Sequence, residues 1–156
     1  MAIVVVTLVA MDQASKWLVE SHLNLHEKVE IVPFWALYRT HNEGIAFSFL
    51  AGINDHVLVA LTVLIIVFVG WMWSRTPQWA WVSHLGFALI MGGAIGNLVD
   101  RVLLGYVVDF ILFHTPVWSF AIFNLADSFI TIGAAAIIMD ELVLMRRKEH
   151  TPVQGE

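Results

Sequence analysis

The chain has 156 residues, 59% of them hydrophobic and 13% charged, with a formal net charge of −5, no cysteine and a mean hydropathy of +0.78. A soluble domain typically carries about 25% charged residues, so the composition excludes an ordinary soluble enzyme and places the whole chain, 1–156, in one small integral-membrane bundle. The acidic balance, with no basic run beyond Arg146-Arg147-Lys148, excludes a nucleic-acid partner, and the lack of cysteine excludes a disulfide, a thiol nucleophile and a Cys-based metal site.

The first predicted span covers residues 1–20. Its opening run, MAIVVVTLVAM, is uncharged, but 11 residues at about 1.5 Å each cross only half of a ~30 Å core. The span therefore includes Asp12, or residues precede Met1. A signal-peptide reading fits the apolar length but lacks a basic start and a small-residue cleavage site. Residues 29–50, VEIVPFWALYRTHNEGIAFSFL, mix polar, aromatic and β-forming residues and predict short strands with a turn at Asn42-Glu43-Gly44, forming a small sheet at the membrane surface. Spans two, three and four are predicted at 57–73, 79–99 and 117–139. Trp71, Trp73, Trp79 and Trp81 bracket the short link between spans two and three as an interfacial aromatic belt. The expected fold is thus mainly α, a four-transmembrane-helix bundle with a small extracytoplasmic β-sheet or cradle.

Four spans put both termini on one side. Arg75, Arg146, Arg147 and Lys148 lie on that side, against Lys28 and Arg39 once the membrane-depth cations Lys16 and Arg101 are set apart, so the termini are expected to be cytoplasmic. Gly92 and Gly96 form a GxxxG pattern that suits close helix packing.

Ionisable residues at membrane depth usually face a protein interior and usually serve a function. Asp12 and Lys16 are spaced i, i+4 and can pair. Asn97 and Arg101 are also i, i+4, with Asp100 between them, and Asn124 and Asp127 are i, i+3. In the expected topology, all three polar faces meet at the outer end of the bundle. No GxSxG or HExxH setting is present, and the i, i+4 pair His22 and His26 lies in a polar exterior segment. A hydrolase built from this set must use carboxylates, two of which can share one proton. From the residues alone, Asp100 and Asp109 compete as the partner of Asp127. Arg101 beside Asp100 suggests an ion pair, whereas Asp109 stands between Val107-Val108 and Phe110-Ile111, a setting that raises a carboxyl pKa. A small proton or ion transporter using the same groups as a relay, and a non-catalytic assembly factor, are the competing readings. A relay would spread its groups through the bilayer instead of clustering them in one leaflet.

DQASKWL at 12–18, NEGIAFSFL at 42–50, GGAIGNLVDRVLLGYVVDFI at 92–111 and FNLADSFITIG at 123–133 resemble the bacterial lipoprotein signal peptidase family, signal peptidase II. The resemblance implies a four-span aspartyl endopeptidase of the bacterial inner membrane. It would remove the signal peptide of diacylglyceryl-modified prolipoproteins by cutting before the lipidated cysteine. The implied catalytic aspartates are Asp109 and Asp127, with Asp12, Lys16, Asn42, Asn97, Asp100, Arg101 and Asn124 supporting or lining the site. Membrane lipid and globomycin-type inhibitors are the implied partners besides substrate, a monomer is expected, and no metal or organic cofactor is implied. Two departures from the family pattern are visible. The stretch before Asp12 is short, and Glu43 and Ile45 stand where the family usually has an aromatic and a small residue.

Overall fold

The computed structural model describes residues 1–44 and 55–149, and the side chains of 1–44 and 56–142. Four helices and four strands follow in the order α1 (Ala2–His22), β1 (Lys28–Val32), β2 (Trp35–Asn42), α2 (Asp55–Arg75), α3 (Trp81–Leu104), β3 (Val107–Thr115), β4 (Trp118–Ser119) and α4 (Leu125–Glu149). The central element is α3, against which α4, α1 and α2 all pack. The strands form one antiparallel sheet in the order β1-β2-β3-β4.

Small residues set how closely the helices approach. A Cβ on Gly93 would collide with the backbone carbonyl of Ala126 on α4, and a Cβ on Gly96 would sit 2.6 Å from Oδ2 of Asp12 on α1. The glycine-rich face of α3 therefore brings the polar stretches of α1 and α4 against its own polar end. α3 stops at Gly105, which takes the left-handed conformation (φ 82°) and donates its N–H to the Arg101 carbonyl. Only a glycine adopts that conformation cheaply.

The first three spans are helices whose bounds lie within a few residues of the expected ones. α1, α2 and α3 are long and apolar enough to cross a membrane, and they are three such helices among the described residues. The fourth expected span, 117–139, is displaced. Residues 118–119 are β4, and the helix begins only at Leu125. α4, which carries Asp127, Asp140 and Glu141, is not one of the helices long and apolar enough to cross a membrane among the described residues. Residues 107–115, expected as part of an outer connection, form the longest strand of the sheet. Their β-branched and aromatic content was the available signal. The chain reversal within 29–44 lies at Pro33-Phe34, where Phe34 has φ 73°. Asn42-Glu43-Gly44 instead closes β2, with Gly44 N–H bonded to Asn42 Oδ1 at 3.0 Å. Ile45 and the remainder of 45–50 lie outside the described residues. Trp71, Trp79 and Trp81 are exposed as a belt requires, but Trp73 turns inward and donates to His84 Nδ1 at 2.7 Å.

Candidate active site

Three backbone ties bring β3 and the start of α4 together. Phe123 and Ile111 exchange N–H···O bonds of 2.7 and 3.1 Å, which pins the residue before Asn124 beside the residue two past Asp109. Asp100 Oδ2 accepts the N–H of Val108 at 3.2 Å, and Asp12 Oδ1 accepts the N–H of Ala126 at 3.0 Å. Val108 and Ala126 immediately precede Asp109 and Asp127, so each buried carboxylate holds the backbone from which the next aspartate projects. Lys16 joins the two carboxylates, at 2.7 Å from Asp12 and 2.8 Å from Asp100. Asp12, Lys16 and Asp100 are at most 3% exposed. A buried carboxylate without a partner is costly, and here one ammonium and two backbone donors satisfy both.

The i, i+4 pairing of Asp12 with Lys16 is thus present, but the expected ion pair between Asp100 and Arg101 is not. Asp100 faces Lys16, while Arg101 donates to the carbonyl of Asn97 at 3.5 Å. The reason lies in helical geometry: adjacent residues project about 100° apart on a helix, so Asp100 can face α1 only if Arg101 does not.

Asparagines hold the other two carboxylates. Asn124 precedes α4 and forms a reciprocal capping box with Asp127: its Oδ1 accepts the Asp127 N–H at 3.0 Å, and its own N–H donates to Asp127 Oδ2 at 3.2 Å. Its amide nitrogen donates to Asp109 Oδ1 at 2.7 Å and to Asn97 Oδ1 at 3.1 Å. Asn97 donates to Asp127 Oδ1 at 2.8 Å and accepts from Lys16 Nζ at 3.0 Å. Asn42, at the end of β2, donates to Asp109 Oδ2 at 2.9 Å. These three amides therefore bind the site's own carboxylates. The β2–β3 register shifts between Leu37 and Thr40, next to the Thr40–Asp109 pair, and such bulges commonly re-aim a side chain beside a site.

No lysine or arginine lies within salt-bridge distance of Asp109 or Asp127 among the described residues. Asp109 is 2% exposed. Burial pushes its carboxyl up to about 6, and the charge of Asp127 adds to that push while the amides of Asn42 and Asn124 oppose it. Asp127 is half-buried. Two cavities open from the pair. One of about 300 Å³ runs from Asp109 past Thr40, Asn42 and Glu43; the other, about 390 Å³ and more apolar, runs from Asp127 past Phe120, Phe123, Thr131 and Ile132. Among the described residues, no group of three or more His, Asp or Glu is arranged to hold a metal ion.

Two participants escaped the sequence reading. Gln13 donates to Asp100 Oδ1 at 2.7 Å and to the Gly96 carbonyl at 3.2 Å. Its position three residues before Lys16 on the same helix was the only signal. His41 stacks on Tyr106 at 3.8 Å. Burial and the charge of Arg39 hold its imidazole below the ordinary value, and no sequence spacing indicated that pairing.

Comparison with known proteins identifies the family. Residues 4–143 match the family model described as signal peptidase (SPase) II. The lipoprotein signal peptidase of Sinorhizobium fredii is 56% identical over 144 residues, covering 92% of this chain and 86% of the relative. That of Brucella ovis is 53% identical over 145 residues, with 93% and 91% covered. A bacterial membrane enzyme solved in meso at 2.3 Å superposes with a TM-score of 0.86 at 30% identity, over 98% of this chain and 93% of that one. A second, solved at 1.9 Å, gives 0.79 at 31% identity, with 90% and 91% covered. The chain is therefore a bacterial membrane protease belonging to the signal peptidase II family.

Proposed function

We propose that this protein is an aspartyl endopeptidase that removes the signal peptide of diacylglyceryl-modified prolipoproteins, cutting before the lipidated cysteine. The observation that carries the reading is Asn124. This one side chain bonds Asp109 through its amide and caps α4 together with Asp127, so carboxylates from two separate elements converge, and among the described residues neither forms an ion pair. Family membership supplies the substrate class.

In the proposed mechanism, one carboxylate of Asp109 and Asp127 is ionised and takes a proton from a water molecule. The water oxygen bonds to the scissile carbonyl carbon. The other carboxyl, protonated, donates to the carbonyl oxygen as it becomes tetrahedral. Collapse breaks the C–N bond, and a proton passes to the leaving amine. Asn42, Asn97 and Asn124 hold the two carboxylates in place, Asp12, Lys16 and Asp100 hold the backbone behind them, and Arg101, whose charge is felt by Asp127 and Asp109, would meet substrate oxygen. The less apolar cavity, beside Asn42 and Glu43, suits the peptide, and the more apolar one beside Phe120 and Ile132 suits acyl chains or an apolar signal segment. Globomycin-type inhibitors would occupy the same cleft. The reading takes the enzyme to act as a monomer and without a cofactor. We place four spans in the inner membrane, with cytoplasmic termini and the site near the outer leaflet.

The test is a gel-shift cleavage assay in detergent on one prolipoprotein with and without its diacylglyceryl group. Cleavage of the lipidated form alone, lost in Asp109→Asn and Asp127→Asn with folding intact, is the expected result. Full activity in either folded variant would remove the dyad, and equal cleavage of both substrates would remove the lipid requirement.

A further inference from the structure

At the end of the bundle opposite Asp109 and Asp127, α2 and α4 stand apart. α2 packs substantially on α3 alone among the helices. Trp73 anchors it there by bonding His84 and stacking on Phe87 at 6.3 Å. α4 is tied to the start of α3 by Asp140, which accepts the Oγ–H and N–H of Ser83. Both helices are thus fixed to α3, and a wedge of about 520 Å³ remains between them. Its wall is apolar, from Trp71, Trp79, Phe87 and Ile137, and its lining includes one cation, Arg75, and one anion, Glu141. Among the described residues neither forms an ion pair. The Arg75 guanidinium lies over the Trp71 ring at 5.8 Å.

We propose that this wedge binds one membrane glycerophospholipid whose headgroup carries both a phosphate and a primary ammonium. The volume fits a headgroup and the upper part of an acyl chain, and exposed tryptophans commonly lie at headgroup depth. Arg75 matches the phosphate with a planar donor fork. Glu141 matches an ammonium that can donate hydrogen bonds. A purely anionic headgroup would meet Glu141 with like charge. A quaternary ammonium has no N–H to donate to Glu141.

The test uses the purified full-length protein, stripped of lipid and returned to mixed micelles with phosphatidylethanolamine, phosphatidylglycerol or phosphatidylcholine. Retained lipid is counted by native mass spectrometry, and the melting temperature is followed in parallel. The expected result is retention of the ethanolamine lipid about tenfold above the other two, the size of one charge-assisted hydrogen bond. Arg75→Ala should lose retention of all three. Glu141→Gln should keep phospholipid but erase the preference for ethanolamine over choline. Circular dichroism of each variant in lipid-free detergent reports folding, and Glu141→Gln carries the test if Arg75→Ala does not fold. Equal retention of the three lipids, a preference for phosphatidylglycerol, or an unchanged preference in folded Glu141→Gln would overturn the proposal.

Discussion

Two pairs of aspartates lie side by side at the polar end of the bundle, and different chemistry holds each. Asp12 and Asp100 share the ammonium of Lys16, and each accepts a backbone N–H. Among the described residues, Asp109 and Asp127 receive neutral N–H donors, from Asn42, Asn97 and Asn124. A carboxylate bonded to a buried cation is costly to alter and serves well as a strut. One held by amides keeps its place while remaining free to exchange a proton. In the proposed function the first pair positions and the second reacts. The strut pair acts through the backbone, on the residue immediately before each reactive aspartate.

The comparison breaks most sharply at the reactive pair. Asp109→Asn and Asp127→Asn should each lower kcat by about 10³-fold or more, since general acid–base groups contribute about 10²–10⁴-fold. At about pH 4, where Asp109 is protonated, their melting temperatures should stay near that of wild type, because an amide then replaces a neutral carboxyl. Lys16→Met should do the opposite. It leaves two buried carboxylates without their cation, and should cost about 3–5 kcal/mol of stability, read as loss of monodisperse protein or a large fall in melting temperature.

The pH dependence of stability separates the two pairs further. The Asp109 carboxyl is raised to about 6 from an ordinary value of 3.8, so the folded state holds the proton more tightly than the unfolded chain. Its contribution is fully present below about pH 4 and is lost as pH rises through about 6. Asp109→Asn lacks this slope, so between pH 4 and pH 7 its stability should rise by about 2–3 kcal/mol relative to wild type. Thermal melts of both proteins across that range check the sign. Gly93→Ala, which drives a Cβ into the Ala126 carbonyl, should cost about 1–3 kcal/mol by forcing α3 and α4 apart. Smallest is Gln13→Ala, which removes one donor from Asp100 while Lys16 and the Val108 N–H remain. About 1 kcal/mol is expected, measured by the same melts.

Much of the polar end could be read from helical spacing. The pairing of Asp12 with Lys16, and the convergence of Asn97, Asn124 and Asp127, follow from i, i+3 and i, i+4 positions on three apolar segments. What spacing could not show is the partner chosen across helices. Asp100 faces Lys16 and not Arg101 because α1 and α3 meet at Gly92 and Gly96, a tertiary fact. The strand at 107–115 was missed because an apolar β-branched run beside membrane spans carries no distinct period. Its pairing with β2 through a bulge, and with Phe123 through a single bridge, is what brings Asp109 to Asn124. The start of α4 was misplaced for the same reason. Residues 117–124 are apolar enough to extend a span, and only the capping box of Asn124 with Asp127 sets the boundary.

The most direct test of the account is the protonation of Asp109 itself. Infrared difference spectra of wild type against Asp109→Asn, taken across pH in detergent, isolate its carboxyl band. The account predicts a protonated carbonyl band, absent from the variant, that disappears with a midpoint near pH 6. A spectrum in which Asp109 is already ionised at pH 4 would contradict it, because Asp109 would then behave as a fixed charge like the strut pair and could not carry a shared proton.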